Sequence, residues 1–244
     1  MKDVLAVIID SAYGTRHLDN TLSYPTALKS LDSAKTLLDW VLHALDRCGI
    51  NRVIYVGGYH IQKVIEQYPN LSFRFHAAWQ SQGEIAGLKL AIPNRPMNWI
   101  IVRSNTVCLP EAVNNIIANK DDISVGYYGN EKDPQFTGIL TLPAKHSRDA
   151  FSLTEAISQQ DPKIGIEEWL AMLKTERFPV KNFPLNSFAA PISDPIAVAR
   201  TLFGGKGRTL EQLRPLVKNA KILSQIRFNT ENWKHDKFGV LSKI

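Results

Sequence analysis

Through the first half of the chain, short apolar runs of strand length alternate with apolar residues at helical spacing. Val4-Leu5-Ala6-Val7-Ile8-Ile9 is continuously apolar, the pattern of a parallel strand buried on both faces. A polar loop from Asp10 to Ser23 follows, with Gly14 inside it. Leu37, Leu38, Val41, Leu42 and Leu45 fall on one helical face, and Gly49 stands where a C′ glycine would close that helix. Val53-Ile54-Tyr55-Val56 predicts a second strand, ended by Gly57-Gly58. A helix around His60–Gln67 and a short strand over Leu71–Phe75 come next. A helix near Glu84–Ala91 precedes a strand at Trp99–Val102, and Pro110 sits in the first turn of a helix reaching about Ala118.

Beyond that point Ile123–Tyr128 and Phe136–Leu142 read as two further strands with a turn-rich linker, Gly129–Pro134, between them. Ile166–Leu173 has helical periodicity with Trp169 and Leu170 on its apolar side. Asp194-Pro195 is an N-cap and N1 pair that opens a helix through Leu202, and Gly204-Gly205 ends it. There is no internal repeat and no low-complexity tract. Strands alternating with helices imply βαβ units, hence an α/β, Rossmann-like fold with a mixed, mostly parallel sheet. The 244 residues suit one large α/β domain, or a domain plus an appendage. The expected division is residues 1–203 and a helical C-terminal appendage, residues 204–244.

Composition narrows the class. Hydrophobic residues are 44% of the chain, enough for a real core. Cys48 and Cys108 are far apart and lack CxxC spacing, which argues against a disulfide scaffold or a zinc site and fits a reducing cytoplasm. No apolar run approaches about 18 residues, so no membrane span or membrane partner is expected. The start passes straight into a strand and does not read as a signal peptide. The net charge of +6 is local: Gly204–Ile244 holds nine of the 29 Lys/Arg and three of the 23 acids, leaving 20 of each in residues 1–203. A neutral body with a basic tail, whose aromatics are not interleaved with it as a stacking platform would need, argues against a nucleic-acid partner. The six histidines show no HxxH or HExxH spacing. His17 and His60 follow strand ends and are read as loop or cap residues. Trp40, Trp79 and Trp169 are read as core or half-buried packing.

In open α/β sheets ligands bind beyond the carboxyl ends of the strands, so the loop after the first strand is the first candidate site. Ser11-Ala12-Tyr13-Gly14-Thr15-Arg16 offers consecutive backbone N–H groups, a permissive glycine and a guanidinium, which together could cradle a polyphosphate. The same residues also suit an ordinary βα loop whose arginine faces solvent, and from the residues alone both readings stand.

Val7-Ile8-Ile9-Asp10-Ser11-Ala12-Tyr13-Gly14-Thr15-Arg16 resembles the signature loop of the sugar-1-phosphate and phosphocholine nucleotidylyltransferases, Leu-Ala-Ala-Gly-x-Gly-Thr/Ser-Arg. Tyr24-Pro25-Thr26-Ala27-Leu28 resembles that family's Pro-Lys-x-Leu, and Leu37-Leu38-Asp39-Trp40-Val41 its following helix. Ile50 to Tyr59 is similar to its next strand, and Gln82-Gly83-Glu84-Ile85-Ala86-Gly87-Leu88 stands where its base-reading loop enters a helix. The match runs over residues 1–110; from 110 to 203 it is only architectural. The resemblance implies the nucleotide-diphospho-sugar transferase type of sheet. It implies a nucleotide or phosphorylated small molecule held by Ser11, Ala12, Tyr13, Gly14, Thr15, Gln82 and Gly83, with Arg16 catalytic and Mg²⁺ as cofactor.

Three positions depart from the family's pattern. Ala12 replaces a glycine that lets backbone approach phosphate. Thr26 replaces the phosphate-binding lysine, and a hydroxyl cannot neutralise charge developing on a phosphoryl group. Asn105, ending the run from Trp99, replaces the aspartate that holds a divalent metal, and a neutral amide is a poor substitute for that carboxylate. The second metal carboxylate would align near Ser193 or Asp194, and Asp194 is better explained as a helix cap. Two rescues are open: Lys29 as a catalytic cation three residues beyond Thr26, and Asp10 as a metal ligand. Against them stand a solvated surface Lys29 and an Asp10 that accepts loop N–H bonds.

The tail carries a second resemblance. Phe203-Gly204-Gly205-Lys206-Gly207-Arg208-Thr209-Leu210-Glu211-Gln212-Leu213 is similar to the Gly-Gly-Lys-Gly-x-x-Leu-x-x-Leu opening of the ATP-grasp domain in phosphoenolpyruvate synthase and pyruvate phosphate dikinase. The remainder of such a domain is absent. Two functions are therefore expected: a nucleotidyltransferase-like domain with its catalytic residues partly lost, or a non-catalytic regulatory domain joined to, or docked on, an ATP-grasp phosphotransferase.

Overall fold

The computed structural model describes residues 4–10, 24–30, 35–92, 95–130, 133–186 and 188–194, together with Val198 and Thr201. All belong to the compact unit Met1–Thr201. Loop residues Ser11 to Arg16 and the tail from Leu202 onward lie outside the described residues.

The apolar runs form the strands their pattern implies. The strands are β1 (Val4–Ile9), β2 (Val53–Gly57), β3 (Ser72–Phe75), β4 (Asn98–Arg103), β5 (Thr106–Cys108), β6 (Ile123–Asn130), β7 (Asp133–Leu142), β8 (Val180–Pro184) and β9 (Ala189–Pro191). The helices are α1 (Leu37–Arg47), α2 (Ile61–Gln67), α3 (Glu84–Lys89), α4 (Pro110–Ile117), α5 (Ala144–Gln160) and α6 (Ile166–Thr175). Seven strands form one sheet in the order β3-β2-β1-β4-β7-β6-β8, and β5 pairs with β9 in a separate ribbon. β1 is parallel to β2 and β4, β2 to β3, and β6 to β8, while β7 runs antiparallel to both β4 and β6. This is the expected mixed α/β fold with a mostly parallel sheet.

Side chains alternate across the strands, and the sheet therefore buries two cores. Leu5, Val7 and Ile9 of β1 and Trp99 and Ile101 of β4 pack with residues of α3, α5 and α6. Ala6, Ile8, Ile100 and Val102 pack on the other face with residues of α1, α2 and α4. Continuous apolar runs are what a strand covered on both faces requires. α1 begins at a capping box: Thr36 Oγ1 accepts from the Asp39 N–H at 3.1 Å, and Asp39 Oδ2 accepts from the Thr36 N–H at 2.8 Å. It ends at Gly49, with φ +72, as its spacing predicts.

Three expectations change. The turn-rich linker Gly129–Pro134 is the tip of a hairpin: Gly129 pairs with Pro134 and Asn130 with Asp133, so the ladder runs almost to the turn. The segment between Leu142 and Ile166 carries a long helix, α5, that apolar spacing does not announce. Its buried face is Ser147, Ala150, Phe151, Thr154 and Ile157. Two of these are hydroxyls satisfied within the helix, Ser147 on the Ala144 carbonyl and Thr154 on the Ala150 carbonyl. The strands β5, β8 and β9 were also not expected. Where a helix was expected after Asp194, Val198 and Thr201 are helical and the Val198 N–H donates to the Asp194 carbonyl. No helix among the described residues is long and apolar enough to cross a membrane.

Candidate functional site at the sheet switch point

The strand order reverses at β1, with β2 and β3 on one side and β4 on the other, so a crevice opens beyond the carboxyl ends of β1 and β4. The register brings Ile9 beside Arg103. The Asp10 N–H donates to the Val56 carbonyl and the Ser104 N–H to the Ile9 carbonyl, each at 2.8 Å. Asp10, Ser104 and Asn105 are therefore gathered at one end of the sheet.

Asp10 is 8% exposed. Its Oδ1 accepts from the Ser104 hydroxyl at 2.7 Å and its Oδ2 from the Tyr55 hydroxyl at 2.9 Å. Burial pushes its pKa up, the two hydroxyls pull it partly back, and no cation among the described residues contributes. The Tyr55 hydroxyl is raised well above its ordinary value by burial and by Asp10. Asp10 thus clasps β2 to β4 across β1. Next to it, the Asn105 carbonyl accepts from the Ile192 N–H at 2.8 Å, and its side-chain oxygen is buried with no hydrogen-bond partner.

Those donors do not fit a resident Mg²⁺. Magnesium is normally held by one or two available carboxylates with substrate phosphates and water. Here one carboxyl is engaged by two hydroxyl donors and its neighbour is an uncharged amide. Among the described residues no three His, Cys, Asp or Glu side chains group as a metal site. Asp194, half-buried, meets the Tyr128 hydroxyl, whose pKa is raised by burial and then by that carboxylate.

Thr26 opens a single 3₁₀ turn, Thr26–Leu28, behind a buried Pro25. Ala27 anchors the turn in the core. Lys29 is exposed, and its backbone is held at both ends, with its N–H on the Thr26 carbonyl and its carbonyl accepting from the Leu37 N–H. Gln82 lies with its side-chain oxygen 3.4 Å from His76 Nε2, and burial lowers the His76 pKa. The Gly83 N–H donates to the Pro162 carbonyl at 2.8 Å. A Cβ at Gly83 would collide with the carbonyl oxygens of Lys163 and Ile164, so close packing accounts for that glycine. His60, exposed, precedes α2 in the left-handed region at φ 45.

Sequence reading missed the strongest charge cluster at this end. Arg103 Nε donates to Glu84 Oε1 at 2.6 Å and its NH2 to Glu84 Oε2 at 2.5 Å. A second fork reaches Glu167, through NH1 at 2.5 Å and through NH2. Glu84 Oε2 also accepts from the Ile166 N–H at 3.2 Å. Burial alone would lower the Arg103 pKa; Glu84 and Glu167 more than reverse that and raise it. Burial likewise pulls Glu167 up, but Arg103 wins and holds it below its ordinary value. The three residues stand far apart in the chain and fall in no motif, so only the end of β4 unites them.

With this geometry in view, the known structures are informative. No protein-family model and no curated protein matches the chain. Solved structures do. The inositol-1-phosphate CTP transferase from T. maritima is 17% identical, with TM-score 0.59, over 79% of this chain and 90% of that one. The CTP:phosphocholine cytidylyltransferase (LicC) from Streptococcus pneumoniae is 16% identical, with TM-score 0.59, over 82% and 97%. HddC from Yersinia pseudotuberculosis, complexed with GMP-PN, is 16% identical, with TM-score 0.57, over 81% and 97%. The fold is that of nucleotidyltransferase structures.

Proposed function

We propose that residues 1–203 form a nucleotidyltransferase-like domain that binds a nucleoside triphosphate or a phosphorylated small molecule beyond the carboxyl ends of β1 and β4, with its transfer chemistry largely lost. The observation that carries this reading is the state of Asp10: both its oxygens are capped by hydroxyls, and the residue after its partner Ser104 is an amide, Asn105. A charged transition state needs preorganised opposite charge where its own charge develops, and here the described residues offer hydroxyls and an amide instead. Binding asks less. Backbone donors of loop 11–16, with Arg16, would hold phosphates, and Gln82, whose side chain lies at the site's edge, would meet the base or a sugar hydroxyl. Lys29 would approach the same phosphates in place of Thr26.

A regulatory role beside an ATP-grasp phosphotransferase, docked or covalent, is the second reading. It is supported by the Gly204–Leu213 motif, as is the boundary between residues 1–203 and 204–244. A cytoplasmic location rests on the two cysteines, both free thiols.

The test joins calorimetric binding of all four nucleoside triphosphates with a pyrophosphate-release assay. Binding without turnover is expected, and Arg16→Ala should weaken it on the order of tenfold, the worth of one charge-assisted phosphate contact. Thr26→Lys combined with Asn105→Asp should introduce measurable release. Robust turnover by the unmodified protein would refute the silent reading, and failure to bind any nucleotide would refute the site.

A further inference from the structure

A cavity of about 530 Å³ lies between the end of α3, the segment after it and α5, with Lys89, Arg95, Arg148 and Glu155 as its charged lining and Ile92 and Phe151 among its apolar lining. It sits toward the amino end of β4, where Asn98 Oδ1 accepts from the Ala144 N–H that begins α5. The candidate site described above is at the opposite end of the same strand.

Three properties of this cavity point to a ligand. Its charged lining is three cations against one carboxylate, a net +2, in a body where residues 1–203 hold equal numbers of basic and acidic side chains. Neither Lys89 nor Arg148 forms an ion pair among the described residues. Second, α5 starts with Lys145 and Arg148 in or beside its first turn and no acid there. The amino end of a helix carries partial positive charge and favours anions. Lys145 is answered by Asp121 at 3.0 Å, while Arg148, one residue beyond that turn, has no answering group described. Third, the volume falls within the range of small-molecule sites, larger than an inorganic anion fills, and Phe151 and Ile92 supply an apolar bed.

We infer that this cavity binds a phosphate monoester of a small hydroxylated molecule. Its charge near −2 at neutral pH suits the cations Lys89 and Arg148. These two would hold the phosphate, the planar guanidinium of Arg148 being suited to a bidentate contact. Glu155 is left to accept from hydroxyls of the body, which lies against Phe151. This inference is independent of the proposed nucleotide site.

The experiment titrates the full chain with glucose 6-phosphate, glycerol 3-phosphate, AMP, inorganic phosphate, glucose and succinate, following backbone amides by NMR. At least one ester should bind saturably below about 10 mM, with shifts at residues 89–92 and 147–155, while glucose and succinate should not. Lys89→Glu with Arg148→Glu should weaken that ester at least about tenfold, whereas Arg16→Ala should leave it unchanged. Glu155→Gln should tighten inorganic phosphate about twofold or more, by removing a repelling charge, and loosen the ester; a gain cannot come from unfolding. Failure of all three esters, succinate binding as tightly as the ester, or shifts confined to residues around Asp10 and Gln82 would overturn the inference. Insensitivity to the double charge reversal would do the same.

Discussion

Two charged groups, half-buried Arg103 and buried Asp10, stand at the same end of the sheet and are partnered in opposite ways. Arg103, the last residue of β4, is met by two carboxylates, Glu84 and Glu167. Asp10, just beyond the residue paired with Arg103, is met by the hydroxyls of Ser104 and Tyr55 alone. The alternation of β4 explains how the two coexist: successive side chains leave on opposite faces, so Arg103 and Ser104 serve different layers. Opposite charge makes the first cluster a strong clasp between β4, α3 and α6. Neutral donors make the second a weaker clasp between β1, β2 and β4, one whose burial costs less when the carboxyl is protonated. A site built to transfer charged groups would be expected to place its charge in the second cluster.

Their pH dependences have opposite sign. Glu167 has a folded pKa below its ordinary 4.5, so its contribution is present above that value and lost as pH falls through the folded pKa. Asp10 has a folded pKa above its ordinary 3.8, so the folded state binds the extra proton and is favoured at low pH. That advantage disappears as pH rises from 3.8 through the folded value.

The comparison can be broken most forcefully at Arg103. Arg103→Met should cost about 3 kcal/mol in urea unfolding at pH 7, since it strands the buried Glu84 carboxylate. The variant should also lose less stability than wild type between pH 5 and pH 3. Adding Glu84→Gln should recover part of the loss; equal stability of wild type and the single variant would show that the triad is not a clasp. Gly83→Ala should cost about 2 kcal/mol, because the backbone of residues 163–164 must move, and the glycine's amide link to Pro162 would shift with it. Ser104→Ala should cost about 1.5 kcal/mol at pH 7, the worth of a hydrogen bond to a charged acceptor. It should cost less at pH 4, where Asp10 carries more proton. Smallest is Asp10→Asn, expected within about 1 kcal/mol of wild type. Its signature is slope: stability should fall less than in wild type as pH rises from 4 to 7. An unchanged slope would remove Asp10 from the account of the site.

Much of the fold was legible in the residues. β1 is the predicted run residue for residue, and α4 and α6 begin where Pro110 and the Trp169 face place them. α5 was not legible, because two of its five buried positions are the hydroxyls Ser147 and Thr154, which interrupt the apolar spacing of Ala150, Phe151 and Ile157. β5 and β9 were not legible either: at three residues each they exist only because they pair with one another. Of the candidate site, Asp10, Thr26, Lys29, Gln82, Gly83 and Asn105 were named through the resemblance to the nucleotidylyltransferase pattern. The structure gathers Asp10 with Asn105 at the switch point and shows Gly83 pinned by Pro162. The loop from Ser11 to Arg16 lies outside the described residues.

What the sequence determined by itself was local and periodic: which runs are strands or helices, where glycine and proline end them, and which residue types occupy positions whose chemistry is recognisable. Those depend on neighbours within a few residues. The tertiary structure alone decided which charges meet. The partners of Arg103 lie 19 and 64 residues away, and those of Asp10 lie 45 and 94 away. No local period encodes contacts at such separations; they follow from strand order and register, which are settled only when the two cores close over the sheet.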